Sequence, residues 1–211
     1  MNITMRTTLF RVTLAAAVSL GVLATAAPAQ AHDAPKPGTR CAVSGMTEIN
    51  HGDIYVCTSA RSGAKPRWGK GQPISRSPLT LKDGWAKAAQ RSQMTAGFGT
   101  LRNPTRSSIR IIGAYSPYAD VLQLHQTVQE DGAMSMQQKI GGFVIPAGGM
   151  LELKPGGNHV MFMKLTRPIK AGSLVPVTFV TSDGGLLRAK VLGKVFSGAN
   201  ETYSSGMSRS S

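Results

Sequence analysis

The sequence predicts an all-β fold, a Greek-key β-barrel or sandwich preceded by a small disulfide-linked β-hairpin module, and three observations carry that prediction. From Leu79 onward, short alternating or apolar runs recur between turn residues: "SSIRIIGAYS", "DVLQLHQTV", "AMSMQQ", "MLELKPGGNHVMFMKL", "LVPVTFVTSDGG" and "LLRAKVLGKV". No long stretch shows the 3.6-residue apolar period of an amphipathic helix. The two cysteines, Cys41 and Cys57, bracket a segment with the pattern of a hairpin.

Taken in chain order, residues 1–31, "MNITMRTTLFRVTLAAAVSLGVLATAAPAQA", read as a secretory signal peptide, with two arginines, a long uncharged run and an A-Q-A end. The Ala-rich run and its cleavage-type end argue against a membrane anchor. After its removal no segment approaches the roughly 20 apolar residues that cross a bilayer, so no transmembrane segment is expected. No cysteine sits at the expected cut, so a lipoprotein anchor is not indicated. The expected location is extracytoplasmic: periplasm, cell envelope or medium.

Residues 32–70 are expected to form the disulfide module. In an exported protein an even cysteine count reads as one bridge, here Cys41 to Cys57. The segment between them, "AVSGMTEINHGDIYV", alternates around "NHGD" as a hairpin does. Closing a loop of this size contributes about 3 kcal/mol by the chain-entropy estimate. That helps a module too small to bury a core of its own. Residues 71–78, "GQPISRSP", read as a linker, residues 79–197 as the main β domain, and residues 198–211 as a flexible polar tail.

The charge is concentrated near the front. Residues 61–110 hold eleven Lys or Arg and one acid, Asp83, whereas residues 111–211 hold nine against six. Export and the lack of an aromatic-rich strand pattern or basic helix argue against nucleic acid as the counterpart. An acidic envelope surface, anionic lipid or acidic partner protein fits better, and the bland alternative is a solvated basic face.

Catalytic motifs are lacking. The serines sit in turns or linkers without a Gly-x-Ser-x-Gly elbow, the acids are scattered, and the Gly pairs occur in turn contexts between strands. No enzyme activity is therefore expected. The methionines are the unusual feature: residues 125–163 contain Met134, Met136, Met150, Met161 and Met163 together with His125 and His159. Methionine in a strand is ordinarily core filler. In "HVMFMK", however, Val160 and Phe162 share one face while His159, Met161 and Met163 share the other. Val160 and Phe162 supply the buried face a sandwich strand needs, which leaves the His-Met-Met face for the rim or exterior. In "DVLQLHQTV", His125 shares a face with Gln123 and Thr127, opposite Leu122, Leu124 and Gln126, a less clean division, and in "AMSMQ" Met134 and Met136 share a face.

Imidazole with thioether favours Cu(I) over Zn(II), Ca(II) or Mg(II). Structural zinc calls for thiolates or several histidines, and a blue-copper electron-transfer centre needs a thiolate. The donor set therefore suits carrying copper.

From about Leu79 to Phe196 the chain resembles the PCuAC copper chaperones, on "LTLKDGWAKAA", "LQLHQTVQEDGAMSM", "IPAGGMLELKPGGNHVMFMKL" and "GSLVPVTFVTSDG". The family pattern is His, ten residues, Met, twenty-one residues, then His-x-Met. The resemblance implies a cupredoxin-like β-barrel that binds Cu(I) through His125, Met136, His159 and Met161. It also implies delivery to a Sco-type chaperone or an oxidase subunit for assembly of the cytochrome oxidase copper centre. One departure is visible: 22 residues separate Met136 from His159, with the extra residue assigned to "QQKIGGFV". That leaves Met134 as an alternative to Met136. Met163 and His32 are secondary metal candidates, His32 because cleavage after Ala31 would make it the amino-terminal residue. Two other readings use the same sequence: a metal-free β-sandwich module that binds the envelope or acts in adhesion, and a copper buffering or uptake protein.

Overall fold

A computed structural model describes residues 33–130, 133–198 and 202–203. The signal segment and His32 lie outside the described residues. Sixteen strands follow in order: β1 (Thr47–Asn50), β2 (Asp53–Thr58), β3 (Arg67–Trp68), β4 (Gln72–Pro73), β5 (Ser75–Arg76), β6 (Thr80–Lys87), β7 (Thr95–Arg102) and β8 (Ile109–Tyr115). They continue with β9 (Ala119–Glu130), β10 (Ala133–Gln138), β11 (Phe143–Ile145), β12 (Met150–Leu153), β13 (Asn158–Leu165), β14 (Leu174–Thr181), β15 (Gly185–Lys194) and β16 (Thr202–Tyr203). No helix occurs among the described residues, in agreement with the all-β expectation. None of them is therefore a helix long and apolar enough to cross a membrane.

The hairpin forms where "NHGD" suggested. Asn50 pairs with Asp53 across a two-residue turn in which His51 and Gly52 both take positive φ, 47° and 87°. Two consecutive left-handed residues match the right-handed twist of the flanking strands, and a glycine at the second position removes its steric cost. Cys41 and Cys57 are bonded, with Cα atoms 6.2 Å apart. The hairpin is too small to bury its own apolar side chains, and it solves this by packing on the barrel: Ile54 and Val56 cluster with Val180 and Leu186.

The stretch expected to be a linker is more ordered than its composition suggests. Within it β4 pairs with β2 and β5 pairs in parallel with β15. Edges of existing strands carry N–H and C=O groups that need partners, and a short passing segment satisfies some of them. Pro73, which lacks a donor, is tolerated in such a peripheral strand.

Seven strands close into a barrel in the order β8, β14, β15, β6, β7, β13, β9, with β9 returning to β8 through Ala114 and Leu122. All pairings in this ring are antiparallel except β15 with β6. Inside it, Leu101, Ile111, Leu122, Leu124, Val160, Phe162, Val175 and Phe179 belong to one apolar core. β10 extends the sheet beyond β9. Part of the segment expected to be a flexible tail forms β16, which pairs in parallel with β10 at Ser135 and Met136.

Candidate metal centre

Three strands build the candidate site, and their register decides which side chains meet. His159 on β13 pairs directly with His125 on β9, and Met161 pairs with Gln123. On the other side of β9, Gln138 of β10 pairs with His125 and Met136 with Thr127. Because strand side chains alternate, His125, His159, Met161 and Met136 all project from the same face of this sheet, away from Leu122, Leu124, Val160 and Phe162. The imidazole rings of His125 and His159 lie 5.6 Å apart with planes inclined by 56°. Met136 and Met161 belong to one buried cluster with Ala96 and Phe98, against which Trp85 and Met163 pack.

The expected alternation is therefore present, but the exposure inferred from it is not. His125 is 0% exposed, His159 2%, Met161 4% and Met136 7%. The reason is a second layer on the outside of the barrel. Trp85 stacks near Phe98 at 4.4 Å and meets Phe196 edge-on at 5.1 Å, while Phe98 lies 6.3 Å from the His159 ring. Met134 differs sharply from Met136. It is 46% exposed and pairs opposite Gln129, one step farther from His125. The Gly141–Gly142 turn follows β10, so a residue added there leaves the shared face of Met136 and His125 unchanged.

Hydrogen bonds orient both imidazoles. His159 Nδ1 lies 2.9 Å from the Gly157 carbonyl oxygen, and His125 Nε2 lies 3.0 Å from Gln123 Oε1. Burial, reinforced by the neighbouring His159, lowers the His125 pKa from 6.5 to about 3, so this ring is neutral at physiological pH. Neutral imidazole and uncharged thioether form a soft donor set. Among the described residues, no three His, Cys, Asp or Glu side chains group as a harder ion would require.

Reading the sequence alone did not identify Phe98, Gln138 or Ser44 as part of this region. Phe98 sits between Gly97 and Gly99 in a strand with no polar alternation. Gln138 and Ser44 join only through tertiary contact, Gln138 Nε2 donating to Ser44 Oγ at 2.7 Å across ninety-four positions of sequence.

Comparison with known proteins places the barrel. The profile described as "Putative lipoprotein LpqE-like" matches residues 79–192, more than half of the chain. The chain belongs to the LpqE-like family. A protein of Leifsonia xyli subsp. xyli named "Putative lipoprotein Lxx21020" is 46% identical over 125 residues, covering 59% of this LpqE-like chain and 75% of that one. An uncharacterized protein of Rickettsia prowazekii is 26% identical over 89 residues, and there the chain spans only 49% of the relative's length. Among solved structures, a copper(I) form of a Deinococcus radiodurans protein is 30% identical, with a TM-score of 0.46 over 60% of this chain and 85% of that one. A copper-bound PCuAC domain from PmoF2 is 15% identical, with a TM-score of 0.47 over 58% and 97%. Superpositions this loose do not position side chains, so the site rests on this chain's own register and burial.

Proposed function

We propose that the protein is an exported copper(I) chaperone: His125, Met136, His159 and Met161 bind Cu(I), and the ion passes to an acceptor protein by ligand exchange. The observation that carries this reading is the direct pairing of two buried histidines across β9 and β13, on the face that also carries two buried methionines. A core face has no use for two adjacent imidazoles, which must be desolvated and oriented by hydrogen bonds to be buried at all. As Cu(I) ligands, by contrast, they must be neutral, and the low His125 pKa meets that condition. Burial of Met136 together with exposure of Met134 supports Met136 as the fourth ligand. Met163, at the edge of the cluster, fits a packing role.

The destination follows the sequence resemblance: an acceptor such as a Sco-type chaperone or an oxidase subunit, in assembly of the cytochrome oxidase copper centre. The relatives' lipoprotein names support action at the envelope outside the cytoplasm. Arg40, Arg61, Lys65 and Arg67 surround one hollow of the disulfide module, which supports an acidic acceptor surface. Cu(I) titration against a competing chelator tests the reading. Wild type is expected to take copper from the competitor, with His159→Ala and Met161→Ala each markedly weaker. Equal affinity in all three proteins would sink it.

A further inference from the structure

The disulfide module meets the barrel through Ser44, and one of the polar contacts there leads directly to His125. The Ser44 carbonyl oxygen accepts a hydrogen bond from Gln123 Nε2 at 2.8 Å, between groups 79 positions apart in sequence. A carbonyl only accepts, so it is the nitrogen end of the Gln123 amide that faces the module. Oε1 therefore faces His125, 3.0 Å from Nε2. An amide oxygen also only accepts, so His125 Nε2 must carry the hydrogen, and in a neutral ring the lone pair then lies on Nδ1.

His159 is set differently. Its Nδ1 faces the carbonyl of Gly157, two residues earlier in the turn that leads into β13, which puts the hydrogen on Nδ1 and the lone pair on Nε2. The two histidines thus use opposite nitrogens, one fixed locally and the other from across the molecule.

Ser44 is held in place for this role. It is buried, and its hydroxyl accepts from Gln138, the residue paired with His125 on β10. Gly45 N donates to the Cys57 carbonyl at 2.9 Å, which ties the Ser44–Gly45 segment to the disulfide-bonded strand. Gly45 takes φ of 100°, and a Cβ there would come within 2.4 Å of the Leu122 carbonyl oxygen, so the segment seats directly on the backbone of β9.

We propose that the disulfide module is a positioning element for the metal centre: through Ser44 and Gln123 it fixes His125 as the tautomer that presents Nδ1. The inference rests on His125 being a ligand, and it assigns a function to the module that the barrel alone does not explain. Gln123 is a positioning residue, and partners of this kind commonly change metal affinity 10–100-fold when removed.

The test reads tautomers directly, from long-range proton–nitrogen NMR spectra of the metal-free full chain. Wild type should show His125 protonated at Nε2 and His159 at Nδ1. In Gln123→Leu, and in Cys41→Ser with Cys57→Ser, His125 should become a mixture or switch to Nδ1–H while His159 keeps its form. Copper(I) affinity of Gln123→Leu should fall about 10–100-fold. His125 protonated at Nδ1 in wild type, or retaining Nε2–H in either variant, overturns the proposal. So does a change in which His159 moves together with His125, because that reports collapse of the face. A wild type with the expected tautomers but no copper affinity removes the chaperone reading and with it the module's metal role, leaving only the hydrogen-bond chain from Ser44 through Gln123 to His125. A copper-binding wild type with His125 protonated at Nδ1 removes this proposal alone.

Discussion

The β9–β13 pair has two faces that are equally buried and chemically opposite. Inward, Leu122, Leu124, Val160 and Phe162 join the barrel core. Outward, the same strands present Gln123, His125, His159 and Met161, all under 7% exposed. Burial alone therefore does not separate structure from function here. The inner face consists of groups that gain from leaving water and need nothing further. The outer face includes polar groups that gain only when each hydrogen bond is supplied, and it recruits Gly157 and Ser44 to supply them. The inner face should thus answer to truncation through stability, and the outer face through binding.

The largest effect should come from the inner face. Phe162 is 1% exposed, and a Cβ on Gly97 would approach its ring to 2.9 Å, so β7 and β13 close on it without slack. Phe162→Ala should lower unfolding free energy by about 3–5 kcal/mol, read from the denaturant midpoint. A loss below about 1 kcal/mol would mean that this face is not the core.

The outer face should affect stability mainly through pH. His125 titrates near 6.5 when unfolded and near 3 when folded, so between those values the unfolded chain binds more protons. Stability of the metal-free protein should accordingly fall as pH drops from about 6.5 toward about 3. At ~1.4 kcal/mol per unit, the loss by about pH 5 is roughly 2 kcal/mol. Denaturant titrations at neutral and mildly acid pH check this against His125→Gln, in which that part of the dependence should vanish. An identical pH profile in the two proteins would remove His125 as its source.

How much of this contrast was legible in the sequence depends on the distance over which each part is determined. Alternation in "HVMFMK" separates His159 and Met161 from Val160 and Phe162 because the strand period is local. The His51–Gly52 turn was equally readable, since two residues determine it. Burial of the outer face was not. It comes from Trp85, Phe98 and the Ser44 segment, brought together by strand pairing and module docking that no window of sequence contains. The same holds for β4, β5 and β16, whose polar sequences read as linker and tail until neighbouring strand edges pair with them.

Met136 allows stability and binding to be separated at one position. Met136→Leu conserves volume and apolarity, so its stability cost should stay below about 1.5 kcal/mol. Copper(I) affinity should nevertheless fall at least about tenfold, because leucine has no sulfur to donate.

Met134 provides the matched control, and the smallest effect. It lies two residues from Met136 on the same strand and the same face, so it shares the backbone setting and the side-chain chemistry. What it lacks is the enclosure: 46% exposed, it stands outside the cluster that holds Met136 and Met161. An exposed thioether in water gains little from a metal it does not face, and an exposed leucine in its place disturbs no packing. Met134→Leu should therefore leave both the denaturant midpoint and the chelator competition unchanged within error. If Met134→Leu weakens copper binding while Met136→Leu does not, the ligand is Met134. The strand would then have to shift by two residues to reach His125, carrying Gln138 away from Ser44 as it does so.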